Sequence, residues 1–527
     1  MSSTAGWGRV LLLGWRSGWR GLAAWVVGLC ALMGMTAGSI ASVYTTEAER
    51  TAYARMAGSP GMSALSGDVA GVDTLGGITA NEFGQIAGFA VPLMAIALVV
   101  RGTRTEEQAG RHAMLRAGPL GRLAPLAAAL LTALGALAAM AAGSAVLMVA
   151  NGADGTGALY YGAGLFALGA VHAAVAALVA QLVGQARGVW AVSLLVVVVG
   201  FVLRGVGAVR GGPWGWASPL GWLDALRSFG DDPRWWPLAL SLGVFLVLTG
   251  AAVALAARRD LEASLWSARP GPAGAGGRLR TPWGLALHEH GLTILGWAVG
   301  TAVLMGAYGL LTQPMIDALR DMPELQGYLR AAEEVVDTVV ATFAMLLGAL
   351  AVASVLQAAG GLRTAEEQGL LSQQLAGPVS RTGWWWTHAV VIALGALLVV
   401  LVGGAALAGS IVVSTDDAGR FGELFAAGLA QLPAVVLFLG LVTLLLGWVP
   451  EHRGLVWLPF AAALVIGWLG PALDLPQWVM DVAPLTAVGQ VPVDDFRLGA
   501  AAVLVLLGVV LSALGAIGLR RRDIPRV

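Results

Sequence analysis

Long uninterrupted apolar stretches are the feature that most constrains this 527-residue chain. They run for about 18–28 residues, the length that an α-helix needs to cross ~30 Å of hydrocarbon. Backbone groups in lipid must be satisfied within the segment, so each stretch is expected to be helical. Only 12% of the residues are charged, against about 25% in soluble domains. The sequence therefore predicts an all-α polytopic membrane protein and excludes a soluble enzyme, a disordered chain and a disulfide scaffold.

The apolar stretches predict twelve transmembrane helices. Allowing for ends that shift by several residues, they lie at roughly 22–44, 84–100, 124–150, 158–184, 189–208, 237–257, 291–311, 336–359, 386–412, 421–448, 454–471 and 499–519. With both termini inside, 21 of the 31 arginines fall in interior segments and nine in exterior ones. Positive residues favour the cytoplasmic side, so we expect an N-in, C-in protein in contact with membrane lipid.

An internal repeat divides these helices into two halves. Residues 104–122 and 363–381 are identical at eight of nineteen positions without gaps, at an offset of 259. The tripeptide Ser-Pro-Leu at 218–220 is echoed by Ala-Pro-Leu at 483–485. The two echoes occur in the same order along each half. Six helices per unit keep the two copies parallel in the membrane. The predicted organisation is an interfacial N-terminal helix (1–20), a first six-helix half (21–257), a Pro/Gly-rich cytoplasmic linker (258–290), a second six-helix half (291–519) and a cytoplasmic basic tail (520–527).

Both copies of the repeat fall in the cytoplasmic loop between the second and third helices of their half. Each combines a glutamate pair, an apolar pair and a Gly-Pro turn, which predicts a short amphipathic helix with its carboxylates facing the cytosol. One such loop alone would be read as a solvated hairpin, but its retention in both halves favours docking of a partner protein. The predicted docking residues are Glu106, Glu107, Gly110, Met114 and Leu115 in the first loop and Glu366, Glu367, Gly369, Leu370 and Leu371 in the second. The first loop contains five arginines and the second two, so docking at the first is predicted to be more sensitive to salt.

The basic residues and the histidines limit what the chain can bind. All 31 basic residues are arginines, and a Walker A phosphate loop requires a lysine, so any ATP must be bound by another chain. With zero net charge and no compact basic domain, nucleic acid is not an expected partner. The segment 288–290, His-Glu-His, is not a metal motif, because histidines at i and i+2 diverge on a helix. We therefore predict no metal or cofactor in this chain and, without a nucleophile–base spacing, no enzymatic activity.

The two loops, RTEEQAG…AGPLGR and RTAEEQG…AGPVSR, resemble the coupling-helix region of type-2 ABC exporter permeases. The segments 218–222, 234–238 and 256–261 resemble an actinobacterial branch that exports polyketide antibiotics, of the tetronasin-resistance kind, although 483–498 departs from its tryptophan-rich pattern. The resemblance covers nearly the whole chain. It implies a separate ATPase subunit in two copies, holding ATP and Mg and docked on the two loops, which drives export of hydrophobic or amphipathic small molecules. It also implies that Glu107 and Glu366 transmit the motion, and that the first, second and fifth helices of each half line the path.

Few polar residues are candidates for the path itself. Arg204 is the one clearly intramembrane charge, and it either faces the protein interior as a functional group or snorkels to the exterior. Gln85 and Gln357 are the other candidates, with hydrogen bonds between helices as the alternative reading. The rival function is an ion-gradient-driven secondary transporter with twelve helices. Such a transporter would place carboxylates at mid-membrane, and no Asp or Glu lies deep in a predicted span.

Overall fold

The computed structural model describes residues 4–58, 62–63, 66–116, 118, 120–258, 274, 276–310, 312–313, 332–469 and 476–524. The regular elements of these residues are helices. They form two compact units, Met1–Pro270 (unit 1) and Gly271–Val527 (unit 2). Each unit has its own hydrophobic core and is described by itself.

The described residues of unit 1 include six long α-helices and several short ones. In chain order the main ones are α1 Trp7–Val43, α2 Glu47–Ala57, α3 Leu75–Val100, α4 Arg111–Arg116, α5 Ala124–Ala150, α6 Gly155–Leu182, α7 Ala186–Arg210, α8 Pro219–Ala225 and α9 Trp236–Arg258. The six long helices coincide with the first six predicted spans. Helices α3 and α6 are the most enclosed, and their side chains pack with those of α5 in one cluster that includes Phe83, Leu137 and Leu165.

The described residues of unit 2 include nine α-helices. They are α10 Pro282–Leu310, α11 Ala332–Glu367, α12 Leu370–Leu375, α13 Arg381–Thr415, α14 Phe421–Leu429, α15 Leu432–Trp448, α16 Trp457–Leu469, α17 Gln477–Val482 and α18 Leu498–Arg521. Its core is formed by α11, α13 and α15, with Val352, Val400 and Phe438 buried. Helices α15 and α18 approach each other closely, because glycines lie on both sides of their contact.

Eleven helices among the described residues are long and apolar enough to cross a membrane. The predicted eleventh span, 454–471, is the exception. It contains α16, whose 13 residues rise only about 20 Å, preceded by a 3-10 turn over Pro450–Val456. Residues 470–475 lie outside the described part of the chain. The chain is therefore a multi-pass membrane protein, and the count of twelve stays a prediction.

The predicted N-terminal helix (1–20) and linker (258–290) do not end where the observed helices begin or end. Helix α1 is one continuous α-helix of 37 residues, so no break separates the predicted N-terminal helix (1–20) from the first span. Trp7, Trp15 and Trp19 are exposed along it, and their location at the membrane interface stays a prediction. Most of the predicted linker, 258–290, lies outside the described residues, and α10 already begins within it.

Candidate functional site

The first copy of the repeat forms a sharp helical corner, which we define as residues 101–116. Helix α3 continues past Val100 through a π-helical turn, Arg101–Thr105, and ends at Gln108. Gly110 then adopts φ 71°, a left-handed conformation that glycine reaches without steric cost, and α4 follows at once. The glycine therefore reverses the chain between a spanning helix and a short one.

A buried ion pair lies just before that reversal. The side chain of Arg104 is 1% exposed, and its Nη1 donates to Oε2 of Glu107 at 3.0 Å. Its Nε donates to the carbonyl of Ala180, near the end of α6, at 2.6 Å. Each charge offsets part of the desolvation of the other, so removal of either one would weaken the compensation of a buried charge. The pair thus ties the first corner to α6.

The second copy of the repeat forms the same corner, defined as residues 363–375. Helix α11 ends at Glu367, Gly369 adopts φ 74°, and α12 begins at Leu370. Arg363 Nη1 lies 3.3 Å from Oε1 of Glu366, with the same spacing of three residues as in the first corner. The sequence repeat at an offset of 259 is therefore also a repeat of geometry.

The two corners are anchored to different elements. Glu366 also forms a bidentate ion pair with Arg522, which lies just beyond α18. In this pair Nη2 of Arg522 is 2.7 Å from Oε2 of Glu366. Arg381 Nη1 donates to the carbonyls of Leu519, Arg520 and Arg522 at 3.2, 3.3 and 2.9 Å. A cation at these carbonyls stabilises the C-terminal end of a helix. The second corner is thus tied to the end of the chain, a contact that sequence analysis missed because the tail was predicted only as a basic segment.

The expectation that all four glutamates face solvent is wrong for two of them. Glu107 is 6% exposed and Glu366 is 4% exposed, because each pairs with an arginine one helical turn earlier. Glu106 instead pairs with Arg111, and this carboxylate raises the pKa of the Arg111 guanidinium.

The rest of the predicted docking set divides in the same way. Glu367 is exposed and pairs with Arg363 at 2.9 Å. Met114 and Leu370 are exposed apolar side chains at 70% and 40%, whereas Leu371 is buried. The side chain of Leu115 lies outside the described residues. Among the candidate residues whose side chains are described, each corner therefore has an exposed apolar side chain and an accessible carboxylate next to a buried Arg–Glu pair.

Arg204 on α7 faces the protein interior, so the snorkelling alternative is wrong. It is 3% exposed. Its Nε and Nη2 donate to Oδ2 and Oδ1 of Asp224 on α8 at 2.6 and 2.7 Å, and Nη2 also donates to the carbonyl of Ser66. Within the described residues its Nη1 has no hydrogen-bond partner. Arg204 and Asp224 line a small cavity together with Tyr161 and Phe229.

The remaining path candidates receive less support. Gln357 is exposed on α11 and accepts a hydrogen bond from the indole of Trp297 on α10, as the interhelical alternative predicts. Gln85 is half-buried on α3. Their role in contacting a transported molecule stays a prediction.

Comparison with known proteins places these features in a family. The family model described as "Multidrug efflux system permease Rv1217c, C-terminal domain" matches residues 8–257 and 279–520, which include both corners. The chain is also similar to the multidrug efflux system permease protein Rv1217c of Mycobacterium tuberculosis (strain ATCC 25618 / H37Rv). The two are 33% identical over 503 residues, which are 92% of this chain and 89% of that protein.

Proposed function

Because the chain belongs to the multidrug efflux permease family of Rv1217c, we propose that it is the membrane subunit of an ATP-driven exporter. On this proposal the chain lies in the bacterial cytoplasmic membrane with both termini in the cytoplasm. It moves hydrophobic or amphipathic small molecules, such as antibiotics, outward. The energy comes from an ATPase subunit that holds ATP and Mg and is present in two copies.

The observation that carries the proposal is the geometric match of the two corners. Each ends a long helix with an Arg–Glu pair of the same spacing and then reverses at a glycine with φ near 70°. Two like surfaces on one chain suit two copies of one partner. The chain itself contains no lysine for a phosphate loop, so the partner would supply the nucleotide site.

The surface and the buried layer of each corner would have separate tasks. Met114 and Leu370, with Glu106 and Glu367, are accessible to a docked partner. Glu107 lies beneath this surface and would pass a displacement of α4 through Arg104 to α6. In the second corner the corresponding route would run from Glu366 through Arg522 to α18. Buried, paired charges suit this task because they resist rearrangement one at a time.

Co-purification of the permease with the candidate ATPase tests the proposal. We expect two ATPase chains per permease in lipid nanodiscs, with export of a hydrophobic dye that requires ATP. Met114→Glu combined with Leu370→Glu places repulsive charge on both corner surfaces and should abolish ATPase binding. Val493→Glu is the matched control, because Val493 is also an exposed apolar side chain, at 51%, but lies in a segment predicted to be exterior.

The competing mechanism makes the opposite prediction. Dye export by the purified chain on an ion gradient, with no nucleotide-hydrolysing partner present, would refute the proposal. So would undiminished ATPase binding and ATP-dependent export in the double variant.

A further inference from the structure

Two helices of unit 2 bring one carboxylate and two imidazoles together. Glu289 and His290 lie early in α10, and His388 lies early in α13. His290 Nε2 is 3.0 Å from His388 Nδ1, and Glu289 Oε2 is 3.9 Å from His388 Nε2. One donor atom from each residue lies within 4.8 Å of the other two. We call these three residues the His–Glu cluster.

The donor types, and the location of one donor atom from each residue within 4.8 Å of the others, are those of a candidate transition-metal site. At 3.9 Å the carboxylate oxygen and the imidazole nitrogen are too far apart for a hydrogen bond. A metal with bonds of about 2.0–2.1 Å holds its ligands about 3.3–4 Å apart, depending on the angle between them. Because His290 Nε2 contacts Nδ1 of His388 while Glu289 Oε2 faces Nε2 of the same ring, metal binding would require the contact between the two imidazoles to break and one ring to rotate. Two histidines and one carboxylate with an open fourth position are a known ligand set for zinc.

We propose that the His–Glu cluster binds one divalent transition-metal ion of the zinc class. Imidazole nitrogen and carboxylate oxygen together favour Zn²⁺, Co²⁺, Ni²⁺ or Cu²⁺ over Mg²⁺ and Ca²⁺, which prefer all-oxygen sites. His290 and His388 are 5% and 2% exposed, so the imidazoles are shielded from competing water. The side chain of Glu289 is 25% exposed, which gives an ion a route to the surface.

Hydrogen bonds around the cluster hold its ligands in place. Gln374 Nε2 donates to Oε1 of Glu289 at 2.7 Å, and this leaves Oε2 directed toward His388. Trp384 Nε1 donates in turn to Oε1 of Gln374 at 2.6 Å. The ring of Trp384 also packs against His388, with 4.4 Å between the ring centroids. Such outer contacts typically orient metal ligands, and their loss weakens metal binding about 10–100-fold.

The site would couple to the second corner and not to the first. Gln374 belongs to α12, so an ion bound by Glu289 would fix α12 against α10 and α13. At the repeat offset, the position equivalent to His388 in unit 1 is Ala129, which offers no ligand. Metal binding would therefore stiffen one corner selectively.

The sequence predicts that the histidines of the His-Glu-His segment diverge on a helix and that no metal binds there; the proposed site departs from the second prediction. His288 is exposed and His290 is buried, so the two side chains diverge as predicted. The second imidazole comes instead from His388, 98 residues away. No local spacing could reveal that partner.

Metal titration of the full-length chain tests the proposal. The protein should be purified in detergent through a tag that contains no histidine, and titrated with Co²⁺ as a spectroscopic probe and then with Zn²⁺. We expect one Co²⁺ per chain, visible d–d absorption of a low-symmetry site, and displacement by Zn²⁺. Zn²⁺ should also raise the melting temperature, because it binds the folded chain.

Variants distinguish the His–Glu cluster from incidental binding. Glu289→Gln and His388→Gln should each weaken Co²⁺ binding at least ~100-fold, and Gln374→Ala about 10-fold. His288→Gln and His452→Gln should bind as the wild type does. Glu289→Gln is nearly isosteric and its site is partly exposed, so its melting temperature without metal should match that of the wild type. Absence of stoichiometric binding to the wild type, or equal binding in Glu289→Gln and His388→Gln, would overturn the proposal.

Discussion

Arg522 and Glu366 are separated by 156 residues and form a bidentate ion pair, with Nη2 and Oε2 2.7 Å apart. Glu366 ends the long helix before the second corner, and Arg522 follows the last helix of the chain. The carboxylate is 4% exposed, so the pair lies beneath the surface on which a partner would dock. Arg522 is therefore part of the second corner.

Removal of the Arg522 side chain should loosen that corner. In Arg522→Ala, the ion pair that remains for Glu366 within the described part of the chain is the one with Arg363, at 3.3 Å. A hydrogen bond to a charged group contributes about 1.5–3 kcal/mol, so amide exchange of the peptide 366–376 should accelerate roughly 10–100-fold. Hydrogen–deuterium exchange of the variant measures this directly. Arg520→Ala is the control, because Arg520 is exposed, and unchanged exchange in Arg522→Ala would show that the pair does not hold the corner.

The corner glycines should tolerate side chains poorly, for a conformational reason. Gly110 and Gly369 have φ of 71° and 74°, and a Cβ at Gly110 would meet nothing within 4 Å. The cost of Gly110→Ala is therefore the left-handed backbone alone, about 1–2 kcal/mol. Gly110→Asn should cost less, because asparagine tolerates this region better.

Hydrogen exchange of the corner peptides and thermal unfolding check this order. Gly360→Ala on α11 is the control, since its Cβ has free space and its φ is not positive. Gly360→Ala should leave the melting temperature unchanged or raise it slightly. Equal effects of Gly360→Ala and Gly369→Ala would contradict the explanation.

Salt should weaken docking at the first corner more than at the second. This prediction depends on the proposed function. Arg101, Arg111 and Arg122 are exposed near the first corner, whereas Arg363 and Arg381 near the second are not. Interactions between exposed charges are screened over about 10 Å at 0.1 M salt.

Single-corner variants allow the comparison. ATPase binding to Leu370→Glu, which keeps the first corner intact, should fall more steeply with salt than binding to Met114→Glu. Binding would be measured by titration of the ATPase at several ionic strengths. Equal slopes would show that the exposed arginines do not contact the partner.

The spans could be predicted from sequence because their signal is local. Eleven of the twelve apolar stretches correspond to long helices, since length and hydropathy alone decide whether a segment can cross lipid. The stretch at 454–471 is as apolar as the others, but its first residues belong to a 3-10 turn. The described α-helical part of this stretch is α16. Local apolarity does not specify where a helix begins.

Partners distant in the chain could not be predicted. The repeat predicted two equivalent loops with paired glutamates, and these form two similar corners, but the burial of Glu107 and Glu366 was not predicted. That burial depends on α6 and on the end of α18, which are brought to the corners only by tertiary packing. Arg204 illustrates the same limit, because its partner Asp224 lies 20 residues away on α8 and was not identified from sequence.

Glycines at the contact between α15 and α18 should be intolerant of any side chain. A Cβ at Gly447 would lie 2.1 Å from the carbonyl oxygen of Gly515, and one at Gly515 would lie 2.6 Å from that of Thr443. Backbone atoms cannot move aside singly, so Gly515→Ala should force the two helices apart and lower the melting temperature. Gly499→Ala on the same helix meets nothing within 4 Å and should be neutral or stabilising. Thermal unfolding followed by tryptophan fluorescence compares the two variants, and equal melting temperatures would contradict close backbone packing.

Arg204 and Asp224 should behave as one energetic unit. Both lie out of solvent and are joined by two hydrogen bonds of 2.6 and 2.7 Å. Arg204→Met or Asp224→Leu leaves one buried charge without its counter-charge and should cost about 3–5 kcal/mol. The double variant removes both charges and should be far more stable than the sum of the two single effects predicts. The reason is that replacing a buried ion pair by two apolar side chains often changes the free energy of unfolding little. A double-mutant cycle of denaturant-induced unfolding gives the coupling energy.

Arg234→Ala is the control, since Arg234 pairs with Asp232 at 2.9 Å on the surface, where solvent screens the charges and stability should change little. Additive effects of the two buried substitutions would show that the ion pair does not hold α7 and α8 together.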